Sequence, residues 1–241
     1  MKLNVDERFK VGNEDIKNAD YFSAVLRYSE AIGTSKISFK ILLKRCECLM
    51  KMKDYKNAAK DALKCIEIDP NFRVPYYHAM DCLLMVGETS KVENLVTKFR
   101  SVAPSIDSIN KNQVFKMNKL KDLKEDIVDF NAANDFVKCL YLINEALKIA
   151  TADESLHFMK INMLITLQRL EEAEEANLAL CGLLNKQINF KKALMAHING
   201  DLYTASILFT SISCQTEKKL KAFEDIHGKL NRVLKAIKEG V

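Results

Sequence analysis

Residues 54–71 read DYKNAAKDALKCIEIDPN. Thirty-four residues upstream of Asp54 stands DYFSAVLRYSEAI, beginning at Asp20, and thirty-four downstream stands ETSKVENLVTKFR, beginning at Glu88. Ala24, Ala58 and Val92 fall in one small-residue slot of this period, and Gly12, Cys46 and Met80 fall in a second slot upstream. Pro70 and Pro104 are likewise 34 apart. The pattern has a packing meaning. A small residue in one helix and another in the next let two backbones approach closely. Tyr28 and Val96 are bulkier and fill the gap to the following repeat, while Asp-Tyr marks a short turn between helices. Proline after the second helix cannot continue it, so the helix stops there.

The period persists downstream with weaker spelling. Cys139 and Ala173 are 34 apart in NDFVKCLYLINEAL and RLEEAEEANLALC, and Ala205 of GDLYTASILFTSI takes the same slot two residues early. Ile127, Ile161 and Ala193 hold the other slot. Six repeats result, at about 5–36, 39–72, 73–106, 120–153, 154–185 and 186–217. Thirteen extra residues, DSINKNQVFKMNK, separate repeats three and four. They lack glycine and proline, and Ile109, Val114, Met117, Leu120, Leu123 and Ile127 recur at helical steps, so one long helix is expected to run into repeat four. The final EKKLKAFEDIHGKLNRVLKAIKEGV is amphipathic and charged, as a capping helix over the last apolar face must be.

A period of 34 residues built from helix pairs resembles the tetratricopeptide repeat. The resemblance implies an all-α chain, a right-handed α-solenoid of about six helix pairs. The expected division is a first array over 1–106, a linking helix segment over 107–119, a second array over 120–217 and a capping helix over 218–241. Composition agrees, since 7 glycines and 3 prolines in 241 residues leave few helix breakers.

Other classes find little support. The net charge of +5 is mild and both signs are interleaved, unlike the clustered basic face of a nucleic-acid binder. No stretch reaches membrane-spanning length. Seven cysteines, scattered apart from Cys46 and Cys48, read as reduced thiols of a cytoplasmic or nuclear protein. His78, His157, His197 and His227 stand far apart in the chain without a nucleophile at catalytic spacing, and no glycine-rich phosphate loop occurs. Cys46 and Cys48 lie two apart on a helix with no second pair to complete a metal site. No enzyme, cofactor, metal or small-molecule substrate is expected.

Chaperone-binding tetratricopeptide proteins hold an acidic peptide ending in a free carboxylate with five side chains. The resemblance implies Lys and Asn from helix A of repeat one, Asn from repeat two, and Lys and Arg from repeat three. Here those positions hold Phe9, Asn13, Lys44, Val74 and His78, so Asn13 alone matches. In the second array they hold Lys124, Val128, Met159, Gln187 and Lys191, which offers two cations but loses both Asn positions. The first groove is expected to present Phe9, Asn13, Lys40, Lys44, Tyr77, His78 and Asp81, with Lys40 reading rather as solvated. Such an aromatic and basic groove suits a peptide with apolar and acidic residues.

The order of features is similar to the repeat region of cytosolic DnaJ-type co-chaperones, which carry tandem arrays ahead of a J domain. No His-Pro-Asp triplet occurs in these 241 residues, so J-domain activity does not carry over. The resemblance implies a non-enzymatic adaptor for partner peptides, with chaperones of the heat-shock protein 70 and 90 classes as candidate partners. The alternative is an assembly scaffold that meets a folded partner by its convex face or capping helix.

Overall fold

The computed structural model describes residues 4–34, 38–102 and 111–169, together with 171–180 apart from 174 and 178. Among the described residues there is no strand. The elements are α1 (Val5–Lys17), α2 (Tyr21–Thr34), α3 (Phe39–Lys51), α4 (Tyr55–Ile68), α5 (Val74–Met85), α6 (Thr89–Val102), α7 (Lys111–Ala132), α8 (Phe136–Ile149) and α9 (Glu154–Thr166). Helical backbone resumes at Glu171. The expected sixth repeat, the capping helix and Lys191 lie outside the described residues.

The turns inside the helix pairs show the repeat at the backbone level. Ala19, Lys53, Gly87, Asn134 and Gln168 all have positive φ, between 58° and 78°. Their spacing is 34, 34, 47 and 34, and the long interval is one period plus the thirteen inserted residues. Each of these residues ends a helix in the left-handed conformation, and the next residue's N–H reaches back five residues. Asp20 bonds to the carbonyl of Asp15, Asp54 to Leu49, Glu88 to Leu83, Asp135 to Phe130 and Arg169 to Leu164, all at 2.9–3.0 Å. The residue after the turn then caps the second helix. Asp20 Oδ1 accepts from the Ser23 amide at 3.0 Å and Asp135 Oδ1 from the Lys138 amide at 3.1 Å. Hydrogen bonds from Ser23 hold the Asp20 carboxyl below its ordinary pKa.

Among the described residues both packing slots are buried. Ala24, Ala58, Val92, Cys139 and Ala173 are each fully inaccessible, as are Cys46, Met80 and Ile161 in the other slot, with Ile127 at 1%. Gly12 is the tightest case. A Cβ there would stand 2.7 Å from Tyr28 Cε1, so the α1–α2 crossing depends on its absence.

The chain forms two compact units, Met1–Glu125 with Ala146–Asp153, and Asp126–Glu145 with Glu154–Val241. In the first unit a buried ion pair ties three helices together. Arg45 of α3 donates through Nε and Nη2 to both carboxylate oxygens of Asp61 on α4, each at 2.7 Å, and through Nη1 to Ser29 of α2 at 3.0 Å. In the same unit Ala152 donates its N–H to the Met85 carbonyl at 2.8 Å. The second unit is centred on Leu140, Leu164 and Ala173, with Ile161 against Leu180 beside them.

Candidate functional site

The first A helices of the repeats are α1, α3 and α5, all within the first unit. On α1, Phe9 is half-buried and its ring lies 5.9 Å from that of Tyr28. One turn on, Asn13 Oδ1 accepts the Tyr28 hydroxyl at 2.8 Å. Burial raises the Tyr28 pKa well above its ordinary value, so the phenol keeps its proton and donates. The amide NH2 of Asn13 is therefore the end left to meet an acceptor.

On α3, Lys44 is half-buried and its ammonium meets Glu47 at 2.7 Å. Lys40 is exposed. On α5, Tyr77 and His78 are both half-buried, and the Tyr77 ring lies 5.7 Å from Phe99 of α6. Gln113 of α7, absent from the expected groove, donates to the Tyr77 carbonyl at 3.3 Å and to Asp81 Oδ1 at 2.6 Å. Gln113 is 3% exposed. Gln113 lies in the inserted segment, where the repeat period gives no register for it.

Lys124, expected as a cation of the second groove, is engaged within the first unit. Its ammonium donates to the Gly87 carbonyl at 2.8 Å and to Asp153 Oδ2 at 2.7 Å, and the Asp153 side chain is 3% exposed. A buried carboxylate needs such a cation, and two of the three ammonium donors are used in meeting it. Val128, in the neighbouring position, is 63% exposed. Lys191 and Gln187 lie outside the described residues.

The described thiols are structural. Cys46, Cys48, Cys65, Cys82 and Cys139 are free and buried. Burial pushes Cys48 up to about 11 and Cys65 and Cys82 up to about 12. Cys65 and Cys139 also donate weakly to the carbonyls of Phe39 and Ile127. The thiolate is the reactive form, so burial that raises these thiols keeps them protonated and unreactive at pH 8. Iodoacetamide at pH 8, followed by peptide mass mapping, is expected to leave all five unmodified in the native protein and to label them in denaturant. Labelling of Cys46 or Cys82 on a time scale of minutes without denaturant would contradict this packing. Among the described residues no three His, Cys, Asp or Glu side chains converge as metal ligands, and no helix is long and apolar enough to cross a membrane.

No family model matches the chain. Over 75 residues it is 39% identical to the Hsp70-Hsp90 organizing protein of Triticum aestivum, covering 31% of this chain and 13% of that protein. It is 28% identical over 117 residues to Tetratricopeptide repeat protein 12 of Mus musculus, covering 47% of this chain and 16% of that protein. It is 25% identical over 134 residues to heat shock protein STI1 of Saccharomyces cerevisiae, covering 53% and 22%. The chain thus spans less than a quarter of the length of these relatives. Among solved structures, the tetratricopeptide domain of P58(IPK) matches with a TM-score of 0.62 at 14% identity, over 98% of this chain and 68% of that one. That likeness shows the tetratricopeptide fold.

Proposed function

We propose that this chain, a tetratricopeptide-repeat protein, is a non-enzymatic adaptor that receives a segment of a partner protein across the A-helix face of its first three repeats. The observation that carries the reading is the state of Asn13, Lys44, Tyr77 and His78. They sit half-buried on three successive A helices. Asn13 also has its amide oxygen satisfied from behind, which leaves an oriented donor. Heat-shock chaperones are the partner class that the relatives bring forward. A tail held only by its carboxylate would bind weakly, because Phe9 and Val74 stand where cations would be needed.

Lysine crosslinking of the protein with its partner, read by mass spectrometry, separates this reading from a convex-face scaffold. Lys10 and Lys40 on the A helices are exposed, as are Lys60, Lys64 and Lys98 on the B helices. Partner crosslinks are expected at Lys10, Lys40 and Lys44. Crosslinks confined to Lys60, Lys64 and Lys98 would instead favour a scaffold that binds through the B-helix side.

A further inference from the structure

Three rows of side chains follow from the 34-residue period on α1, α3 and α5. Phe9, Leu43 and Tyr77 are one period apart, as are Asn13, Glu47 and Asp81, and Lys10, Lys44 and His78. At about 100° per residue the second row lies about 40° round each helix from the first, and the third about 100°. All six members of the first two rows are half-buried, as are Lys44 and His78 of the third, while Lys10 is exposed. An apolar row is therefore flanked by a row that turns acidic along the chain, from Asn13 to Glu47 to Asp81. Of the two carboxylates, Glu47 already has a cation in Lys44. Asp81 has only the neutral Gln113 amide, and no ion pair reaches it among the described residues.

Gln113 supplies an independent observation at the same place. Its NH2 meets two acceptors, the Tyr77 carbonyl and Asp81 Oδ1, so the amide cannot be turned the other way. Its Oε1 is then left buried and without a partner, beside the Asp81 carboxylate. Two acceptors at one spot ask for a donor, and a buried acceptor left unmet is costly.

The geometry points to a charge-inverted groove: a partner segment whose apolar side chains lie on Phe9, Leu43 and Tyr77 and whose lysine or arginine is received at Asp81 and Gln113. This rests on the groove reading above and reverses the expectation of an acidic ligand at the α5 end. A cation there completes the Asp81 pair, which an acidic segment cannot do.

The test is a randomised twelve-residue peptide library displayed with a free C-terminus and selected on the full chain. Lysine or arginine next to apolar residues is expected to be enriched on the wild type. Synthetic peptides from that pool should lose about tenfold or more in affinity on Asp81→Asn, which still accepts from Gln113, and on changing their cation to glutamine. Unchanged thermal melts of D81N exclude misfolding, and Asp81→Lys should reverse the charge preference. Enrichment of acidic or carboxylate-terminal peptides that bind D81N as tightly would overturn the inference and leave the groove reading standing. No enrichment over a Phe9→Asp, Tyr77→Asp double variant would overturn both.

Discussion

Gly87→Ala is expected to destabilise the first unit by about 3–5 kcal/mol, far beyond an ordinary glycine-to-alanine change. Two effects combine. The backbone at Gly87 has φ of 78°, a region that costs a residue with a Cβ about 1–2 kcal/mol. The added Cβ would also collide with the Asp153 carboxylate and stand 2.7 Å from Lys124 Nζ, so the ion pair and its bond to the Gly87 carbonyl must open. Opening it takes the Lys124 cation away from a carboxylate whose side chain is 3% exposed. Lys53→Gly is the control of opposite sign. Lys53 occupies the equivalent turn at φ 63°, so glycine there relieves strain and should gain about 0.5–1 kcal/mol. Urea unfolding of both variants checks the pair. A Gly87→Ala midpoint equal to wild type would mean that Asp153 and Lys124 do not close over the turn.

Asp61→Ala is expected to cost about 3–5 kcal/mol, because it leaves the Arg45 guanidinium inside three packed helices without its counter-charge. The Asp61 side chain is 4% exposed and that of Arg45 is 19% exposed, so water replaces little of what is lost. The bidentate geometry adds two charge-assisted bonds to the deficit. The double change Arg45→Met, Asp61→Leu is expected to recover more than half of the loss, since it removes both buried charges together. Thermal unfolding of the single and double variants completes the cycle. A single variant within about 1 kcal/mol of wild type would show the pair to be solvated.

The fold was legible because two slots recur with little ambiguity. Gly12, Cys46, Met80, Ile127 and Ile161, and Ala24, Ala58, Val92, Cys139 and Ala173, differ in size and chemistry, yet all sit in the buried seams. A period survives such variation because each described helix pair repeats the same turn, whose left-handed residue is alanine, lysine, glycine, asparagine or glutamine. The site was less legible, for physical reasons. Lys124 looks like a surface cation until Asp153, 29 residues on, is seen to face it. Asp61 follows Lys60 and is the one charged residue among those α4 buries, and only the α2–α3–α4 packing reveals its partner Arg45. Gln113 lies in the inserted stretch, so no equivalent position announces its contact with Asp81.

The return of Ala146–Asp153 to the first unit bears on the order of events during synthesis. The Met85 carbonyl receives its hydrogen bond from Ala152, and the Gly87 carbonyl its cation from a lysine whose own counter-charge is Asp153. At ribosomal rates of roughly 5–20 residues per second, Asp153 is added about 3–13 seconds after Gly87. During that interval the turn of the third repeat lacks its far partners. The nascent chain thus carries an incomplete unit, finished by a segment made well after the repeats it completes.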